Sequence, residues 1–106
     1  GGAGNDTLQA QLGNDTLLGG AGNDIFLYDS WHDSNVYEGY DSIHGFEHGT
    51  DLINLAPARM SANDSFSLLL ASGNTYLNVD LLNDGWIDMI VEIVGVQNLT
   101  AADIII

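Results

Sequence analysis

Cysteine is absent from this 106-residue chain, so neither a disulfide framework nor a thiolate metal site holds it together. Basic residues are almost absent too: Arg59 stands alone against fifteen Asp and Glu, for a formal charge of −14. That field repels a nucleic-acid backbone or an anionic lipid surface and leaves cations as the natural partners. It also pushes a compact state apart unless something neutralises it. Pro57 is the single proline, and no apolar run approaches the ~20 residues that a membrane-spanning helix needs. A leader of basic, apolar and small segments is missing, and the chain starts inside a repeat, so it reads as a piece of something longer. With 45% hydrophobic residues, the length suits one compact domain, or one with a small appendage.

Glycine is plentiful and arranged in phase. Aligned by nine, the opening gives GGAGNDTLQ (1–9), AQLGNDTLL (10–18) and GGAGNDIFL (19–27). Gly4, Gly13 and Gly22 share a column, then Asn5, Asn14 and Asn23, then Asp6, Asp15 and Asp24. Leu8, Leu17 and Phe26 add one large apolar residue per repeat, which a flexible linker has no reason to keep in phase. Glycine takes positive φ without penalty and Asn and Asp tolerate it, so the first six residues of a repeat favour a turn. The last three suit a short strand whose middle side chain points inward. One repeat is then half a coil, and eighteen residues make a full circuit that lays turn 19–24 against turn 1–6. Asp6 and Asp24 come face to face, and a divalent cation between them relieves their repulsion. Hard oxygen donors in a flexible set favour Ca²⁺ over Mg²⁺ or zinc.

These repeats resemble the repeats-in-toxin (RTX) nonapeptide G-G-x-G-x-D-x-U-x, a calcium-binding parallel β-roll unit. The resemblance implies one site built from Asp6 and the carbonyls of Gly2 and Gly4, closed by Asp24 and the carbonyls of Gly19 and Ala21. A second site, on the opposite side, would use Gly13 and Asp15, although Ala10 and Gln11 replace the two leading glycines there. The segment "DIFLYDSWHDSNVYEGYDSIHGFEHGTDLINL" resembles the C-terminal region of serralysin-type secreted metalloproteases, with Asp24, Phe26, Tyr28, Asp33, Ser34, Tyr40, Asp41, Ile43, Phe46, Gly49, Asp51, Ile53 and Leu55 in matching positions. By that resemblance, Asp33 and Asp41 close the last site against Asp24 and the carbonyls of Gly20 and Gly22. The tail "IDMIVEIVGVQNLTAADIII" resembles the same family's ending, and Ala101–Ile106 would then belong to an uncleaved export signal.

Beyond Leu55, "APARMSANDS" reads as a loop. "FSLLLA", "TYLNVDL" and "WIDMIVEIV" read as strands separated by the turns "SGN" and "LNDG". Ile87, Met89, Val91 and Ile93 share the buried face of the last one. The expected fold is all-β: a parallel β-roll over 1–33, and over 34–106 an antiparallel sandwich or meander that caps it.

Two motifs read as decoys. "HGFEH" (44–48) matches H-x-x-E-H, but that signature needs one helical face and Gly45 interrupts it. "DLLNDGWID" (80–88) imitates part of an EF-hand loop with Asp80, Asp84, Gly85 and Asp88, yet Leu82 and Val91 stand where carboxylates are required. A hairpin turn at Asn83-Asp84-Gly85 accounts for the same residues. No catalytic motif is present, so the expectation is a non-catalytic module of a larger secreted, extracellular bacterial protein. It would bind two or three Ca²⁺ ions, leave by type I secretion machinery and act as a monomer. The alternative is a module that binds extracellular polysaccharide, as in alginate epimerases or adhesins, with Trp31, Tyr37, Tyr40 and Trp86 as the stacking candidates.

Overall fold

A computed structural model describes residues 1–30, 33–34, 39–58 and 64–106. Regular structure among them is strand, joined by turns and short 3-10 segments. The nonapeptides behave as their composition dictates. Thr7–Gln9 (β2), Thr16–Leu18 (β3) and Ile25–Leu27 (β5) are three-residue strands, and Gly2–Ala3 (β1) and Gly20–Ala21 (β4) form a small ladder within the turns. β2 pairs with β5 in parallel, Leu8 opposite Phe26, and β1 pairs with β4, Gly2 opposite Gly20, so one circuit spans eighteen residues.

Parallel stacking continues past the repeats. Asp41–His44 (β6) lies on β3, and Leu52–Asn54 (β7) lies on β5. Ser65–Ala71 (β8), Asn74–Asp80 (β9) and Met89–Ile93 (β10) form an antiparallel meander. β10 then adds in parallel to β6, and Ile104–Ile105 (β11) adds in parallel to β7. Two walls result, a five-stranded sheet in the order β3-β6-β10-β9-β8 and a four-stranded sheet in the order β11-β7-β5-β2.

The core lies between the walls. Phe26, Ile43, Ile53, Leu77, Met89, Val91 and Ile93 are fully buried, each the inward residue of its strand. Leu8 and Leu17 stay half-buried because β2 and β3 are the outermost strands of their sheets, whereas Phe26 has a strand on either side. Removing a side chain such as Phe26 from water contributes roughly 2–3 kcal/mol.

The loops differ from the sequence reading in places. Ser72 and Gly73 form a two-residue hairpin turn with φ of 54° and 82°, the mirror-image turn that matches strand twist. The next connection is not a tight hairpin: the chain leaves β9 at Asp80, makes a 3-10 turn at Leu81–Asn83 and re-enters the sheet only at Met89. Ile87 therefore lies outside the strand and is 37% exposed. Pro57 sits in a 3-10 turn at Ala56–Ala58, and residues 59–63 of that loop are outside the described residues.

Candidate metal centre

Stacked turns bring the aspartates into two rows. In the first, Asp24 Oδ1 accepts the Asp6 N–H at 3.0 Å, and Asp51 Oδ1 accepts the Asp24 N–H at 2.9 Å. Asn5 bonds in the reverse sense, its Oδ1 taking the N–H of Asn23 in the following circuit at 2.8 Å. Each circuit thus hangs on the next through a side chain as well as through the ladders. Glycine permits the close approach: a Cβ on Gly20 would lie 2.3 Å from the Gly2 carbonyl oxygen, and one on Gly22 would lie 2.3 Å from that of Gly4. Gly1 and Gly19 have a different role, leaving room for the carboxylates, since a Cβ there would sit 2.4 Å from Asp6 Oδ2 and 2.6 Å from Asp24 Oδ2. Ala21 continues the ladder opposite Ala3.

The second row joins Asp15 to Asp41, whose Oδ1 accepts the Asp15 N–H at 2.8 Å. This corrects the expected grouping of Asp33 and Asp41 with Asp24. Successive repeats alternate between the two sides of the coil, so a nine-residue step from Asp24 lands on the side of Asp15. Asp33 accordingly holds its own turn, with Oδ2 accepting the N–H groups of Asp29 at 3.1 Å and Ser30 at 3.3 Å. Asp24 finds Asp51 instead. Gly39 stacks on Asn14 beside Gly13, which has a φ of 120°. Among the described residues this row has no counterpart of the β1–β4 ladder, consistent with the loss of its leading glycines to Ala10 and Gln11.

The carboxylates are left with unused oxygens. Oδ2 of Asp6, Asp24 and Asp41 is buried with no hydrogen-bond partner, and so is the Tyr28 hydroxyl. Asp51, by contrast, is closed: its Oδ2 accepts the Glu47 N–H at 2.9 Å. Burial, followed by the charges of Asp15 and Asp33, raises the Asp41 carboxyl from 3.8 to about 6, against the pull of the Asp15 N–H. The Tyr28 hydroxyl faces Asp41, and burial together with that charge pushes it well above its ordinary value. An unsatisfied buried acceptor costs about 1–3 kcal/mol, more when charged. The donor set is entirely oxygen, in the glycine-lined turns that hold it, and a hard divalent cation fits these sites.

A third acidic group lies where the sequence suggests only a hairpin turn. Asp80, Asp84 and Asp88 bring one carboxylate oxygen each to within 4.8 Å of one another, the one such convergence of His, Asp or Glu side chains among the described residues. Asp80 accepts the N–H groups of Asp84 and Gly85 at 3.1 and 3.0 Å, while Asp88 accepts that of Leu81 at 2.8 Å. The partial EF-hand spacing is the sequence signal for this group, although its third and twelfth positions, Leu82 and Val91, are apolar. "HGFEH" is not helical: His44 ends β6, Phe46 packs in the core, and His48 Nδ1 meets Asp103 Oδ2 at 2.6 Å. Of the aromatic candidates, Tyr40 is 37% and Trp86 75% exposed, and Trp31 and Tyr37 lie outside the described residues.

Circuits of glycine turn and short strand, carrying rows of inward aspartates with unpaired oxygens, define an RTX-type parallel β-roll. The family model of the peptidase M10 serralysin C terminal matches residues 1–106, and the chain belongs to that family. Among solved structures it is similar to the AlgE6R3 subunit of the Azotobacter vinelandii mannuronan C5-epimerase, with a TM-score of 0.71 and 22% identity over 99% of this chain and 68% of that one. At that identity the likeness concerns the fold. No match is found among curated proteins.

Proposed function

We propose that this chain is a non-catalytic calcium-binding module of a larger secreted bacterial protein, folded by Ca²⁺ after export through a type I system. The observation that carries the reading is Asp24: fully buried, bonded to the neighbouring circuit through Oδ1, and with Oδ2 left unpaired beside a glycine that makes room for it. Asp6 and Asp24 with the carbonyls of their glycine turns (Gly2, Gly4, Gly19, Ala21) would hold one ion. Asp15 and Asp41 would hold another, with Asp33 near by and carbonyls from the turn at Gly13. Gly20 and Gly22 serve by letting the circuits approach.

The bound ion supplies positive charge between the rows. Without it, glycine entropy and crowded carboxylates oppose the coil. With it, each site adds RT ln(1 + [L]/Kd) to folding. Extracellular calcium modules commonly bind at roughly 10⁻⁴ to 10⁻³ M, which suits a chain unfolded in the cytosol and folded outside. Family membership supports the secreted setting.

The test is Asp24→Asn, which keeps the Oδ1 acceptor and the shape but removes the charge. Calorimetric titration with Ca²⁺ should lose a site in this variant, and the calcium-induced β signal in circular dichroism should need more ion. An unchanged titration sinks the proposal.

A further inference from the structure

Tyr28 follows β5 directly, and its N–H donates to the Asn54 carbonyl at 3.0 Å. Its side chain is fully buried. A buried tyrosine usually finds a partner for its hydroxyl, and this hydroxyl has none. It faces the carboxylate of Asp41, which begins β6 on the other wall, and Oδ2 of that carboxylate is buried and unpaired as well. A donor and an acceptor thus look at one another inside the core without closing a hydrogen bond.

The rest of Asp41 is already committed. Its Oδ1 accepts the Asp15 N–H, and its own N–H donates to Ser34 Oγ at 2.8 Å, which donates in turn to the Ile90 carbonyl. Oδ2 is therefore the atom left to meet an ion. A carboxylate oxygen has two lone pairs, so it can take a hydroxyl proton on one and a cation on the other. The charges of Asp15 and Asp33 act on the Tyr28 hydroxyl too, so it borders three carboxylates on this side of the coil.

The first row is built differently. There the aromatic ring near the site is Phe26, which has no hydroxyl: a Cβ on Gly19 would lie 2.6 Å from Asp24 Oδ2 and 3.1 Å from Phe26 Cζ. That row has its leading glycines and the β1–β4 ladder, whereas the second has Ala10 and Gln11 in their place and, among the described residues, no such ladder. What the second row has instead is a phenol.

We infer that Tyr28 is a positioning residue of the Asp15–Asp41 metal site, its hydroxyl donating to Asp41 Oδ2 and holding that oxygen toward the ion. The inference rests on the calcium-binding reading above. A phenol keeps its proton at neutral pH, so it orients the carboxylate without adding a charge to a crowded site. Closing the pair when the ion binds also satisfies two buried polar atoms at once. Groups that orient a metal's ligands in this way are commonly worth about 10–100-fold in affinity.

Calorimetric titration of the 106-residue chain with Ca²⁺ tests this in Tyr28→Phe, which removes one oxygen and keeps the ring. One site should weaken by about 10–100-fold, and it should be the site that Asp15→Asn also weakens, while the site at Asp6 and Asp24 keeps its affinity. Proton NMR of the calcium-loaded wild-type chain gives a readout that packing of the ring would not move, and it serves even where Tyr28→Phe misfolds. The Tyr28 hydroxyl proton should resonate downfield, as a hydroxyl bonded to a carboxylate does. A resonance at the position of a free phenol, an unchanged Tyr28→Phe titration or equal weakening of both sites overturns the inference and leaves the calcium reading standing. A wild-type chain that takes up no calcium overturns both.

Discussion

Gly4 and Gly22 occupy the same position of the repeat with nearly the same backbone, φ of 101° and 108°, but alanine should harm the second far more than the first. At Gly4 nothing lies within 4 Å of the added Cβ, so the cost is the strained φ, about 1–3 kcal/mol. At Gly22 the same strain is joined by a Cβ 2.3 Å from the Gly4 carbonyl oxygen, when ordinary contact begins near 3.4 Å. That oxygen is backbone, so the two circuits must part by about 1 Å at the turn. The Asn23 to Asn5 and Asp6 to Asp24 hydrogen bonds, 2.8 and 3.0 Å long, lie at that junction. Their loss adds about 1 kcal/mol each, for a total near 4 kcal/mol or more. Urea unfolding at fixed saturating calcium measures both variants, and the expected gap is about 2 kcal/mol, near thirtyfold in the folding constant. Equal losses for Gly4→Ala and Gly22→Ala refute the reasoning, because the circuits would then not be stacked this closely.

Asp103 ties the end of the chain to the body: it is buried and accepts from Thr100 N at 3.0 Å, Gly49 N at 3.1 Å and His48, so Asp103→Ala should cost about 3 kcal/mol in urea unfolding. Burial works to raise the Asp103 carboxyl, but the Thr100 and Gly49 N–H groups and His48 outweigh it and hold it below 3.8. Its contribution is therefore present above pH ~4 and lost as pH falls through the lowered value, and Asp103→Asn should flatten that acid limb of the stability curve. Asp41 works in the opposite sense in the ion-free chain, being raised to about 6. Its ionisation opposes folding by on the order of 3 kcal/mol at pH 7, and the penalty disappears as pH falls from 6 to about 4. In chelator, circular dichroism should accordingly show β structure gained on acidification to pH 5, and Asp41→Asn should reduce that gain.

The nonapeptide register was enough to place β2, β3 and β5, the inward Leu8, Leu17 and Phe26, and the meeting of Asp6 with Asp24, because a regular period converts directly into stacking. Glycine and Asn-Asp chemistry dictate the turn, and a β-strand's alternation dictates which side chain points in. The strand face of β10 was legible for the same reason, with Met89, Val91 and Ile93 buried in alternation. Beyond residue 27 the period lapses. The partner of Asp24 lies twenty-seven residues on and that of Asp15 twenty-six, neither of them the eighteen-residue circuit of the repeats.

Only the tertiary structure decided which carboxylates share a row. Which circuit a turn stacks on depends on how much chain the preceding loop consumes, and that is settled by long-range packing of Ile43, Ile53 and Val91 rather than by neighbours in sequence. The same holds for Asp80, Asp84 and Asp88, which meet because a 3-10 turn folds the loop back, and for His48 and Asp103, fifty-five residues apart. Local chemistry spelled the unit of the coil, and closure of the core determined the order in which its later turns were laid down.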